Sequence, residues 1–195
     1  MIPMVLLLVS TVAGAAVMTV RGARQPATWR PYDLIIDLHA LPVRYSCDDL
    51  WYKFHDVLLA LGARPDLEIL AYRCEPGLDD RAARSPHVQL RFNLPETVDP
   101  SQARWADIQA TAATVRLAPG HPAALHDSDC ELLRQMKDEL FATLDQPTRV
   151  VGFALACAAP HTARWPFNVT VQSLEAVDRP QPVAAQANPL PRRPY

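Results

Sequence analysis

Cys47-Asp48-Asp49-Leu50 opens a stretch that closes at Cys74, and Cys130-Glu131-Leu132-Leu133 opens a second that closes at Cys157. Cys47 and Cys74 stand 27 positions apart, and so do Cys130 and Cys157. A shift of 83 positions lays the first pair on the second. The same shift brings Val57-Leu58 onto Leu140-Phe141, Leu61 onto Leu144, and Leu70-Ala71 onto Phe153-Ala154. Equal spacing together with a matching apolar pattern predicts two copies of one unit.

Within each copy the residues after the first cysteine have a helical period. Leu50, Phe54, Val57, Leu58 and Leu61 fall on one stripe, as do Leu133, Met136, Leu140 and Leu144. Ser46 with Asp49, and Ser128 with Glu131, have the spacing of N-caps with an acid three residues on. Gly62 can end the first helix, and Pro147 lies just past the second. The residues leading to the second cysteine are strand-like: Leu67 to Arg73 in one copy and Val150 to Ala156 in the other. A further alternating strand follows each. Val88, Leu90, Phe92 and Leu94 form one; Trp165, Phe167, Val169 and Val171 form the other. Leu34 to Leu38 and Ile108 to Leu117 precede the helices as strands. Each copy therefore reads strand–helix–strand–strand. The fold class expected is α+β, an antiparallel or mixed sheet with both helices on one face.

Reach tests the pairing of the cysteines. A helix from Cys47 to Leu61 rises roughly 22 Å, and a strand from Leu67 to Cys74 returns roughly 25 Å. The lengths nearly cancel, so Cys74 arrives beside Cys47, within the ~7 Å between Cα atoms that a disulfide needs. The same holds for Cys130 and Cys157. Each bridge would contribute about 3 kcal/mol by restricting the unfolded chain. The competing readings are four buried thiols and a zinc site, but no CxxC or HxxxH spacing supports zinc.

Met1 to Val20 has no charged residue, and Val5 to Val9 is followed by small residues Ala13-Gly14-Ala15-Ala16. This is the pattern of a secretory signal peptide cut near Ala15, or of an anchor if uncleaved. It departs from the pattern in one respect, because the first cation is Arg21. For an anchor, Arg21, Arg24 and Arg30 would favour a cytoplasmic C-terminal side. Paired cysteines call instead for an oxidising compartment, so a periplasmic or secreted protein is expected. Residues 21–32 read as a linker, 33–98 as the first unit, 105–176 as the second, and 177–195 as a Pro-rich disordered tail. A loop from Pro119 to Ser128 is an addition to the second copy.

Nineteen basic and 21 acidic residues are well mixed, so no cationic surplus points to nucleic acid. Six glycines leave little material for a phosphate cradle, and no cofactor motif appears. His121, His126, Asp127 and Asp129 lie close in sequence and are the candidate metal ligands; the competing reading is a solvated loop before the second helix. Asp37 and His39, two apart on a strand and so on one face, are the candidate acid–base pair; the competing and favoured reading is an exposed strand face. Trp51 and Tyr52 lie off the apolar stripe and are expected to meet the other copy. The function expected is a non-enzymatic protein-binding or envelope-assembly accessory, with a membrane met only through residues 1–20. The alternative is an exported hydrolase or metal-dependent enzyme using the His121–Asp129 loop or Asp37 with His39.

Overall fold

The computed structural model describes residues 23–74, 85–144, 148–155, 157 and 167–177. The segment 1–20, Trp165, His161 and the tail beyond Val177 lie outside them. Six strands form one antiparallel sheet: β1 (Gln25–Asp37), β2 (Glu68–Tyr72), β3 (His87–Thr97), β4 (Ile108–Leu117), β5 (Arg149–Ala154) and β6 (Asn168–Ala176). Their order is β2-β3-β1-β4-β6-β5. Counted outward from the central β1–β4 contact, each half places its first strand, then its third, then its second.

The helix after Cys47 forms as its periodicity requires. α1 runs Cys47–Ala60 and starts in a full capping box between Ser46 and Asp49. The Ser46 hydroxyl and backbone hold the Asp49 carboxyl below the usual carboxylate range. At the other end Gly62 N donates to Leu59 O and Ala63 N to Leu58 O, a left-handed glycine cap at φ 93°. Leu50, Phe54, Val57 and Leu58 are fully buried. Burying such side chains contributes about 1.5–3 kcal/mol each, so this one stripe outweighs a single disulfide.

The second helical segment differs from the first. A 3₁₀ turn, Asp127–Asp129, leads into α2 (Cys130–Gln135), which continues as a π-turn over Met136–Phe141. Ser128 is not its cap. The Asp129 carboxylate turns back instead to accept from His126 N at 2.7 Å. Glu131 is drawn to Arg134 and Gln135, and these hydrogen bonds, Arg134 foremost, hold its carboxyl below the usual range. One continuous core takes Leu50, Phe54 and Leu58 from α1 and Leu132, Leu133 and Met136 from α2 and the π-turn. Where β1 meets β4 the packing is small, with Ala27 against Ala110.

Both disulfides are formed. Cys47 bridges to Cys74 with Cα atoms 5.1 Å apart, and Cys130 to Cys157 at 5.5 Å. Each ties a helix start to the end of an outermost strand, which bears out the reach argument. Two such bonds are compatible with an oxidising compartment and an exported protein. No helix among the described residues is long and apolar enough to cross a membrane.

The expected linker 21–32 needs correction, because β1 begins at Gln25. Pro26 and Pro31 had argued against a strand. Yet β1 pairs with β4 only over Gln25–Ala27, whereas it pairs with β3 from Ala27 to Asp37. Pro31 therefore sits where β1 has a paired strand on one side only, the setting in which a missing N–H is tolerated. The loop from Pro119 to Ser128 is ordered around buried Leu125, whose N and O bond to Pro122 O and Gly120 N.

Candidate functional sites

Alternation along β3 decides the first site. Val88, Leu90 and Phe92 are buried in the core, so His87, Gln89 and Arg91 line the opposite face. The strand register then sets neighbours beside each. Arg91 lies between Asp33 and Glu68, 3.1 and 3.6 Å away. Gln89 lies between Ile35 and Leu70, which are 62% and 60% exposed. His87 lies between Asp37 and Tyr72. The outward face of β2-β3-β1 thus carries an apolar row flanked by two polar ones.

The His87 row has a defined proton arrangement. Its ring stacks on Tyr72 with centroids 5.5 Å apart. Nδ1 contacts the Asp37 carboxylate, and Nε2 is 2.9 Å from Arg73 Nη1. A guanidinium only donates, so Nε2 must accept. In that arrangement Nδ1 is the donor to Asp37.

Asp37 is thus engaged by His87. β1 ends at Asp37, and the alternation of burial runs on past it, with Leu38 buried and His39 exposed like Asp37. The His39 backbone is instead held by a side chain from α2: His39 N donates to Gln135 Oε1 at 2.8 Å, and Gln135 Nε2 donates to His39 O at 2.6 Å.

The His121–Asp129 loop also departs from expectation. His121, His126 and Asp127 are exposed, while Asp129 is fully buried. Lys53 Nζ lies 2.6 Å from Asp129 Oδ2 and donates as well to Ala124 O at 2.8 Å. Tyr45 donates to Asp129 Oδ1 at 2.8 Å. Burial first, and the Asp129 charge second, push the Tyr45 phenol well above the ordinary tyrosine range. With both oxygens occupied, Asp129 cannot share an ion with the exposed histidines. Among the described residues no three His, Cys, Asp or Glu side chains gather to hold a metal.

Asp129 does join the two halves of the molecule. Trp51 and Tyr52 were expected to do so. Trp51 stacks on His55 of its own helix at 4.6 Å and packs against the core, while Tyr52 is mostly exposed. Cross-half side-chain contacts include Lys53 and Tyr45 to Asp129, Gln135 to the His39 backbone, and the Ser173 hydroxyl to Leu61 O at the end of α1.

The second site is a cleft in the second half. Lys137, Asp138 and Phe141 of the π-turn line it together with Ala142, Thr148, Arg149 and Val150, around about 440 Å³. Lys137 Nζ sits 4.4 Å from the Phe153 ring centroid and 2.7 Å from Asp138 Oδ1. Arg134 also reaches Asp138, at 3.5 Å. Thr148 is 2% exposed, and its hydroxyl has no hydrogen-bond partner among the described residues. The facing strand is irregular, with a register shift between Val150 and Gly152.

Comparison with protein families, curated proteins and solved structures finds no match to this chain. The sites therefore rest on their own chemistry. Sequence reading passed over His87 because its partnership with Asp37 depends on pairing across 50 positions. Its place before the alternating run Val88 to Leu94 was the available signal. No local signal marked Thr148 and Arg149.

Proposed function

We propose that this chain is an exported protein-binding module, an accessory of an envelope assembly. In this reading it takes an extended segment of a partner protein along β2. Residues 1–20 would serve as the secretory signal or anchor, and the working location would be the periplasm or the exterior. Residues 33–98 and 105–176 would be copies of one βαββ unit, with both helices on one face of the sheet. The matched cysteine spacing, the repeated outward strand order and the shared core support that duplication.

One observation carries the binding role. Of the seven large hydrophobic side chains exposed among the described residues, Ile35, Leu70 and Tyr72 lie together on the β2-β3-β1 face. Scattered exposed apolar residues are ordinary, but a cluster rimmed by charge marks contact surfaces. β2 is also an outermost strand, paired among the described residues only with β3. Strand addition to such an edge supplies affinity through the backbone and specificity through alternate side chains. Leu70 and Tyr72 would receive apolar side chains of the partner. Glu68, held only at 3.6 Å by Arg91, would receive a cation.

The test places a photoreactive amino acid at Tyr72 in the native exported protein. The expected result is a single defined protein adduct that is lost in Leu70→Lys and in Ile35→Lys but kept in Val151→Lys. All three substituted side chains are exposed, so folding should be unaffected. An adduct indifferent to Leu70 and Ile35, or none at all, would overturn the reading.

A further inference from the structure

We propose that the cleft between the π-turn and the start of β5 binds a small organic carboxylate. Four independent features converge there. The first is the π-turn Met136–Phe141, which contributes three of the lining residues. A π-segment inside a helix is rare and is found preferentially at functional sites. The second is the register shift between Val150 and Gly152 on the facing strand. Such bulges re-aim side chains and recur beside binding sites. The third is the Thr148 hydroxyl, buried without a hydrogen-bond partner among the described residues. Buried polar groups are nearly always satisfied, so an orphan requires a ligand or another explanation.

The fourth is charge. Lys137 and Arg149 line the cleft against one carboxylate, Asp138. Asp138 is already engaged by Lys137 and by Arg134. Arg149 has no ion pair among the described residues, and its planar fork suits a carboxylate in bidentate geometry. Phe141, Ala142 and Val150 supply an apolar wall. A space of about 440 Å³ lies within the range of small-molecule sites. A guanidinium donor beside an apolar wall fits an anion carrying an apolar body better than a bare anion.

This site is separate from the β2 face and does not rest on the protein-binding proposal. It is tested with the full, disulfide-intact chain by backbone amide NMR, titrating benzoate and, in a second arm, inorganic phosphate. Benzoate should shift the Thr148, Arg149 and Val150 amides. Arg149→Gln should weaken that binding about tenfold or more, equivalent to roughly 1.4 kcal/mol; Lys137→Gln should weaken it less, because Lys137 is shared with Asp138. Both residues are at the surface, and an otherwise unchanged amide spectrum will verify the fold of each variant. Absence of benzoate shifts at these amides, shifts that persist unchanged in Arg149→Gln, or phosphate binding where benzoate does not bind, would each overturn the assignment.

Discussion

The first half of the molecule, residues 25–97, is regular where the second, residues 108–176, is broken. Both halves hold a helix start to a strand end by a disulfide closing the same 27-position separation. In the first, α1 runs unbroken for 14 residues from a complete capping box to a glycine cap, and β2 pairs with β3 without interruption. In the second, six α-helical residues give way to a π-turn, and β5 shifts register against β6. The two irregularities face one another across a single cleft. A staple and an apolar stripe are common to both halves, and the breaks in helix and in strand pairing meet at the cleft of the second. The first half has a cleft of its own, about 550 Å³ beside Tyr32, Asp33, Glu68 and Arg91, but no break in helix or strand pairing adjoins it.

The largest expected effect concerns what joins the halves. Lys53→Met leaves the fully buried Asp129 carboxylate without its cation. Removing one member of a buried pair costs about 3–5 kcal/mol, whereas replacing both with apolar groups is often neutral. Lys53→Met should therefore lower the urea midpoint sharply, and Lys53→Met with Asp129→Leu should recover only part of the loss, because the Tyr45 hydroxyl and His126 N–H then lose their acceptor. Tryptophan fluorescence and far-UV circular dichroism should trace one coincident transition in the parent, because a single core spans both halves. A cost below about 1 kcal/mol for Lys53→Met would mean that this ion pair adds little to the packing and to the other hydrogen bonds that join the halves.

Next come the disulfides. Closing loops of this length stabilises by about 3–4 kcal/mol through the unfolded chain. The separations are identical, so Cys47→Ala/Cys74→Ala and Cys130→Ala/Cys157→Ala should cost nearly the same in denaturant unfolding. A difference beyond about 1 kcal/mol would place the asymmetry of the halves in the native state, where engineered and natural bridges deviate from the entropic estimate.

The two left-handed glycines sharpen the same contrast. Gly62 in the first half has φ 93°, and a Cβ there would lie 2.2 Å from Leu174 O of β6. That oxygen is backbone and cannot move aside, so Gly62→Ala should cost at least about 2 kcal/mol. Gly120 in the second half has φ 76° but open space around it. Gly120→Ala should cost only the conformational penalty, about 1–2 kcal/mol. Equal losses in thermal unfolding would contradict the close approach of α1 to β6.

What could be read beforehand divides along the same line. The disulfide partners, α1 and its caps, and β4 with the bounds Ile108–Leu117 were legible, because 3.6- and 2-residue periods and chain reach are local properties. The start of β1 was hidden by Pro26 and Pro31; Pro26 pairs with β4 ahead of the β3 pairing, and Pro31 has β3 alone beside it, so each stands where β1 has one neighbouring strand. Asp129 resembled a solvated loop acid, since nothing in its neighbourhood shows that Lys53, 76 positions away, is brought to it. His87 was hidden in the same way by register. The π-turn carries the same apolar spacing as an α-helix, so Met136, Leu140 and Leu144 predicted burial correctly but not the widening between them.

The smallest expected effect bears on that widening. Thr148 is buried with an unsatisfied hydroxyl. Valine has its shape without the polar atom, and removing an orphan of this kind is neutral to stabilising, by up to about 1 kcal/mol. Thr148→Val should therefore leave the urea midpoint unchanged or raise it, which reverses the usual sign for a core substitution. The same change at Thr111 of β4, which is buried but whose hydroxyl is not a solvent-excluded orphan, should destabilise or do nothing. If Thr148→Val instead costs stability, its hydroxyl has a partner in the folded chain. The cleft would then lose one of its four distinguishing features, and the contrast between the halves would reduce to backbone irregularity alone.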